Sequence, residues 1–120
     1  MIKNMTALTA LAFLTITAGL ASPSAAGENK LVIHFFYGRE CPHCKALEPE
    51  VRNLVRGDSR LELRTYEVWY NKENRALFMR MAAERGAKAK GVPTVIIGKD
   101  VYLGADAGRV KALVQKNLRK

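Results

Sequence analysis

The feature that most constrains this chain is the segment Cys41-Pro42-His43-Cys44, which holds both of its cysteines. It follows the apolar run at residues 30–38, whose composition favours a central strand, and it precedes apolar residues at helical spacing. Two cysteines one helical turn apart are close enough to close a small disulfide ring. The segment therefore predicts a strand-to-helix junction at which the two cysteines can form a disulfide.

The remaining pattern predicts a small α/β domain with the element order β, α, β, α, β, β, α. The first crossover should join parallel strands, and the last two strands should form an antiparallel hairpin, which together give a mixed sheet with helices on both faces. The predicted elements are a strand at 30–38, a helix from Cys44 to Gly57 that Pro49 should kink, a strand at 60–70, a helix at 71–86 with Asn71 as N-cap, two strands within 91–104 around a turn at 98–100, and a final helix within 106–120.

Cys41 should lie where unpaired backbone N–H groups and the helix dipole favour an anion. This environment stabilises the thiolate, the form of cysteine that attacks disulfides. Pro42 suits the first helical turn because it lacks an N–H. His43 offers a cation or an N–H donor, and the charge of Lys45 also stabilises a thiolate on Cys41. The negative charge of Glu40 destabilises it.

Cys44 falls on the apolar face of the same helix and should be the less exposed cysteine. The expected division of labour makes Cys41 the attacking or attacked sulfur and Cys44 the resolving sulfur. The pair itself is then the redox group, and no cofactor or metal is expected.

Two other uses of the pair compete with this interpretation. A structural disulfide is one, although so short a ring constrains the unfolded chain by only about 2 kcal/mol. A zinc site is the other, but zinc sites usually add a second ligand pair, and the only further histidine is His34, in the middle of the first strand. His34 is interpreted as a packed strand residue.

The N-terminal segment 1–26 has the composition of a secretory signal peptide. A positive charge precedes the apolar run at 5–21, and small residues at Ser24 and Ala26 suit cleavage after Ala26. The mature domain would then span 27–120 and work in the periplasm or outside the cell. The alternative is an uncleaved signal that anchors the protein to a membrane.

The net charge of +9 is spread along the chain. We interpret it as general solubility, with anionic membranes or acidic partners as the alternative. The basic residues are not interleaved with aromatic residues, and export also argues against a nucleic-acid partner. We expect a monomer.

The chain resembles the thioredoxin-like superfamily from Lys30 to Leu118. Besides the CxxC pair, Pro49 stands where thioredoxins have a helix-kinking proline, "GVPT" at 91–94 is similar to the family's cis-proline loop, and "LGADAGRVKALV" at 103–114 is similar to its closing glycine and helix. The dipeptide in "CPHC" is similar to that of oxidising, periplasmic Dsb-type enzymes.

The resemblance implies a thiol–disulfide oxidoreductase that exchanges disulfides with cysteine-containing proteins and with a membrane or soluble redox partner. It also implies that Pro93 is a cis residue beside the disulfide and that Val92, Pro93 and Thr94 bind substrate. One alternative is a reductase or isomerase supplied by a membrane electron donor. Another is a redox-inactive thioredoxin-like binding module.

Three departures from the family pattern stand out. Glu40 replaces the usual tryptophan before the first cysteine. Phe35 occupies the position of a buried acid, with His34 one residue further back, so the family's proton acceptor is missing there. The spacing from Cys44 to Pro93 is too short for the helical insert of Dsb-type oxidases, which indicates the plain thioredoxin build.

Overall fold

The computed structural model describes Gly19 and residues 29–120. Apart from Gly19, the predicted signal peptide at 1–26 lies outside the described residues, and so does the start of the predicted domain at 27–28. The described elements are β1 (Leu31–Tyr37), α1 (Pro42–Arg56), β2 (Leu61–Glu67), α2 (Lys72–Glu84), β3 (Thr94–Ile97), β4 (Asp100–Leu103) and α3 (Ala107–Leu118). Their order is the predicted one.

The strands form a mixed sheet in the order β2-β1-β3-β4. β1 runs parallel to β2, with Phe35 opposite Thr65, and antiparallel to β3, with Phe35 opposite Val95. β3 and β4 form the antiparallel hairpin. The α/β class, the parallel first crossover and the closing hairpin are thereby confirmed.

The helices cover both faces of the sheet, as predicted. Alternate residues of a strand point to opposite faces, so Ile33 and Phe35 pack with α1 and α3, whereas Phe36 packs with α2. Phe36 stacks on Phe78 of α2 at a centroid distance of 4.5 Å. Each face has its own buried cluster, and the two cysteines belong to the cluster of α1 and α3.

Proline or a capping side chain begins each helix, and Pro42 and Asn71 do so where the sequence predicts. Pro42 opens α1, Asn71 caps α2 by accepting the N–H of Asn74, and Asp106 caps α3. Pro49 lies inside α1, which continues past it to Arg56. No helix within residues 29–120 is long and apolar enough to cross a membrane.

The strand predicted at 60–70 is shorter than expected, and this part of the prediction is wrong. β2 ends at Glu67, because the Glu67 carboxylate accepts the backbone N–H groups of Trp69 and Tyr70 and so turns the chain away from the sheet. Residues 68–71 thus form a loop, which we call the β2–α2 loop.

Candidate active site

Cys41 and Cys44 form the disulfide that the sequence predicts, with their α-carbons 5.2 Å apart. Both residues are buried, with 4% of Cys41 and 2% of Cys44 exposed. They pack in the apolar cluster of α1 and α3, which also contains Phe35. The difference in exposure has the predicted direction but is too small to distinguish the two sulfurs.

What distinguishes the sulfurs is hydrogen bonding at the start of α1. Cys41 is the N-cap residue, with extended backbone angles, and its Sγ accepts the backbone N–H of Cys44 at 3.1 Å. The donor is one of the N–H groups that a helix leaves without an internal partner. When the disulfide opens, the same donor and the helix dipole are placed to favour a thiolate on Cys41.

His43 and Lys45 lie in the first turn of α1 and are exposed. Among the described residues, neither side chain hydrogen-bonds to a cysteine sulfur, so any effect on the thiolate acts through the electrostatic field. Pro42 is the first residue of the helix, where its missing N–H removes no helical hydrogen bond. Glu40 is also exposed and its carboxylate accepts a hydrogen bond from Tyr70.

His34 lies on the other face of the sheet from the cysteines. Its Nδ1 is 3.1 Å from the Tyr66 hydroxyl, and Tyr66 packs against the cluster of α2. Burial, together with the charges of two nearby arginines, lowers the pKa of His34 below its ordinary value. Phe35, which does face the disulfide, is fully buried and offers no proton acceptor.

The placement of His34 also bears on the zinc alternative. The chain has only two histidines, and this one cannot join the cysteines through the sheet. Within residues 29–120 and Gly19, no group of three or more His, Cys, Asp or Glu side chains could hold a metal ion.

The loop at 91–94 contacts the disulfide region through Val92, which packs against the cluster that contains both cysteines. The Val92–Pro93 peptide bond is cis. Pro93 is buried, and its carbonyl accepts the N–H of Gly104 at 3.0 Å. The Thr94 hydroxyl donates to the Gly91 carbonyl at 2.6 Å, so this side chain holds the loop together.

The backbone of Val92 is free within this loop. Among the described residues, neither its N–H nor its C=O has a hydrogen-bond partner. A free donor and acceptor on one residue beside a disulfide are what an added extended strand requires.

A cavity of about 360 Å³ opens next to Val92. It extends to α2 and is lined in part by Trp69, Phe78 and Met79. Trp69 is 45% exposed and Met79 is 59% exposed, so apolar surface faces solvent there. A larger groove of about 560 Å³ lies between α1 and α3, but none of the predicted site residues lines it.

Sequence analysis missed the β2–α2 loop as part of the site. β1 and β2 are parallel and Tyr37 pairs with Glu67, so both strands end at the same edge of the sheet. The residues after β1 lead into Cys41, and the residues after β2 form the loop, which brings the two segments together. The sequence predicts that β1 and β2 are parallel. That pairing alone could have shown that the segments after the two strands meet at one edge of the sheet.

Glu67 joins the two segments through backbone hydrogen bonds. Its carboxylate accepts the N–H of Arg39 at 2.9 Å and the N–H groups of Tyr70 at 2.8 Å and Trp69 at 3.2 Å. Desolvation opposes ionisation, but these donors together lower the pKa of Glu67 below its ordinary value.

Tyr70 makes two further contacts with the segment before Cys41. Its hydroxyl donates to Glu40 Oε2 at 2.9 Å, and its ring lies 4.9 Å from the guanidinium carbon of Arg39. The hydrogen bond to Glu40, and the charge of Glu40, raise the pKa of Tyr70 above its ordinary value. The phenol is therefore a donor throughout the physiological pH range.

Several thioredoxins of known structure share this fold. A mutant thioredoxin from Halobacterium salinarum is 27% identical, with a TM-score of 0.58 over 75% of this chain and 76% of its own. Thioredoxin f2 from Chlamydomonas reinhardtii is 26% identical, with a TM-score of 0.58 over 73% of this chain and 79% of its own. The germline-specific thioredoxin Deadhead from Drosophila melanogaster is 21% identical, with a TM-score of 0.58 over 74% and 82% of the two chains.

No protein-family model matches the chain, and no curated protein matches it by sequence. The fold is thioredoxin-like, as predicted. Together with the Cys41–Cys44 disulfide at the start of α1 and the two thioredoxins at 27% and 26% identity, it supports a place in the thioredoxin-like superfamily and thiol–disulfide chemistry in general.

Proposed function

We propose that this protein is an exported thiol–disulfide oxidoreductase that exchanges disulfides with the cysteines of other proteins. The observation that carries the proposal is the hydrogen bond from the Cys44 N–H to Cys41 Sγ at the N-terminus of α1. It favours a thiolate on Cys41, which attacks a disulfide in the reducing direction and leaves from the mixed disulfide in the oxidising direction, because the thiolate is the reactive species and the better leaving group.

In the oxidising direction, a substrate thiolate attacks Cys41 Sγ and breaks the Cys41–Cys44 bond. Cys44 takes the bonding electron pair and a proton, and a mixed disulfide joins Cys41 to the substrate. A second substrate thiolate then attacks the substrate sulfur of this mixed disulfide, and Cys41 leaves as a thiolate. The substrate gains a disulfide and loses two electrons, which the cysteine pair holds as two reduced sulfurs.

We assign substrate binding to the loop at 91–94. The free N–H and C=O of Val92 would pair with an extended substrate segment, while Pro93 has no N–H that could compete. Thr94 contributes by holding the loop through Gly91. The cavity beside Val92 offers room for a substrate side chain, and its lining, mostly apolar with Arg75 and Lys90 beside it, favours an apolar one.

The exported compartment rests on the signal-like segment at 1–26, with cleavage near Ala26, and on the Dsb-like dipeptide Pro42-His43. A periplasmic or secreted location also fits a protein that uses its only cysteines as a disulfide. A membrane or soluble redox partner would oxidise the reduced cysteine pair back to the disulfide. We also propose that the protein acts as a monomer without a bound cofactor or metal.

Trapping of mixed disulfides tests the proposal. The Cys44→Ala variant, incubated with a disulfide-containing protein, should accumulate a covalent complex on a non-reducing gel, because the resolving sulfur is missing. The matched Cys41→Ala variant should accumulate none. Trapping through Cys44 instead would reverse the assignment of the two sulfurs.

An equilibrium titration against glutathione and a turnover assay with a reduced, unfolded disulfide protein complete the test. The wild type should oxidise the substrate, and either single alanine variant should fail to do so. A wild type that shows no turnover, and no loss of binding on Cys41→Ser, would support the redox-inactive binding module. A pair too reducing to oxidise the substrate would support the reductase or isomerase.

A further inference from the structure

The residue directly before the nucleophile carries a negative charge. Glu40 precedes Cys41, and an unrestrained carboxylate at this point of the chain would be attracted to the positive N-terminus of α1. The Cys41 sulfur occupies that terminus and accepts one of its N–H groups. A carboxylate beside it would disfavour the thiolate, because two like charges would compete for the same donors.

The structure shows the carboxylate bound elsewhere. Glu40 Oε2 accepts the Tyr70 hydroxyl at 2.9 Å, and this contact is exposed, whereas Cys41 is buried. Tyr70 is 60% exposed, and two contacts hold it: Arg39 lies over its ring, and its backbone N–H donates to Glu67. The hydrogen bond therefore ties Glu40 to a residue of the β2–α2 loop whose backbone Glu67 holds.

We propose that Tyr70 is a positioning residue, which holds the Glu40 carboxylate on the β2–α2 loop and so keeps it from the Cys41 sulfur. The inference rests on the proposed function, since it matters only where Cys41 reacts as a thiolate. It assigns a role to a contact that joins two loops far apart in the chain and that the exchange steps do not themselves use.

The consequence is a defined direction of change when the contact is lost. Loss of the Tyr70 hydroxyl frees Glu40 to approach the helix terminus, which destabilises the Cys41 thiolate. A less stable thiolate makes the reduced pair less favourable, so the equilibrium moves toward the disulfide. When the Glu40 charge is also removed, loss of the Tyr70 hydroxyl should no longer shift the equilibrium between the reduced pair and the disulfide.

A double-mutant cycle with Tyr70→Phe and Glu40→Gln isolates this coupling. The readout is the equilibrium constant of the cysteine pair with glutathione, measured at one pH. Tyr70→Phe alone should shift the constant toward the disulfide by about two- to fivefold, the range expected for one exposed charge interaction. In the Glu40→Gln background, Tyr70→Phe should leave the constant unchanged.

Equal shifts in both backgrounds, or no shift from Tyr70→Phe alone, would overturn the proposal. Tyr66→Phe is the matched control: it removes a hydroxyl bonded to His34 on the other face of the sheet and should leave the constant unchanged. Tyr70→Phe keeps the ring on which Arg39 stacks, and a urea unfolding curve for each variant checks that it folds.

The equilibrium is measured without a protein substrate. A wild type that fails to oxidise proteins would therefore contradict the proposed function while the cycle still decides the role of Tyr70. Conversely, a normal turnover with no coupling between Tyr70 and Glu40 would remove only this inference.

Discussion

The indole of Trp69 lies against the α-carbon of Gly38, three residues before Cys41. A β-carbon placed on Gly38 would come within 2.7 Å of Trp69 Cε3 and closer still to two other ring atoms. Only glycine leaves room for this contact. It joins the segment that enters the active site to the β2–α2 loop, alongside the hydrogen bonds of Glu67 and Tyr70.

We predict that Gly38→Ala displaces the indole and destabilises the protein by about 1–3 kcal/mol, the usual cost of overpacking. Urea unfolding measures the free energy, and the fluorescence of Trp69, the only tryptophan, reports the displacement. Gly57→Ala is the matched control, because a β-carbon there meets nothing closer than 3.4 Å. Equal free energies of unfolding for the two variants would show that the Trp69 indole does not pack against Gly38 in solution.

The second prediction concerns the reactivity of Cys41. In the Cys44→Ala variant the backbone N–H at position 44 remains, so the hydrogen bond to the Cys41 sulfur is kept. The rate of alkylation against pH should therefore have its midpoint below the value of about 8.5 that is typical of a free cysteine. A midpoint at or above that value would remove the electrostatic argument for Cys41 as the nucleophile.

The third prediction separates the two histidines. His43 lies exposed in the first turn of α1 beside the sulfurs, so its cationic form would favour the reduced, thiolate-bearing pair. His43→Gly should lower the reduction potential, where about 30 mV corresponds to ~1.4 kcal/mol. His34→Gln, on the α2 face of the sheet, should leave the potential unchanged. If His43→Gly also had no effect, the helix terminus alone would set the potential.

The fourth prediction is a pH dependence at Glu67. Hydrogen bonds from backbone N–H groups lower its pKa in the folded protein, so its contribution to stability is present above the unfolded value of about 4.3 and is lost as the pH falls through the folded value. Carbon-detected NMR should show Glu67 titrating below about pH 4.3. The Glu67→Gln variant should lose less stability on acidification than the wild type.

Glu50→Gln serves as the control, because Glu50 is an exposed residue of α1 away from the β2–α2 loop. Its stability should fall with acidification as that of the wild type does. A Glu67 titration at or above the ordinary value would show that the three N–H donors do not hold the carboxylate in solution.

Local patterns in the sequence determined most of the fold. The alternation and helical spacing of apolar residues, Asn71 as N-cap and the Cys41–Cys44 spacing each act within a few residues, so they could be recognised without a structure. They predicted the order of the elements, the parallel crossover, the hairpin and the disulfide at the start of α1. The same local view extended β2 to residue 70, because nothing local shows that Glu67 would turn the chain.

The tertiary structure decided which residues meet at the site. Parallel pairing of β1 and β2 brings the β2–α2 loop onto Gly38 and Glu40, some 30 positions away in the chain. Strand alternation puts Phe35 and His34 of β1 on opposite faces of the sheet, but only the packing of α1 decides that Phe35 shares its face with the disulfide and His34 does not. Contacts of this kind depend on how the elements pack, and packing is a property of the whole chain. The CxxC pair and the helix terminus beside it, in contrast, are formed by consecutive residues and could be recognised locally.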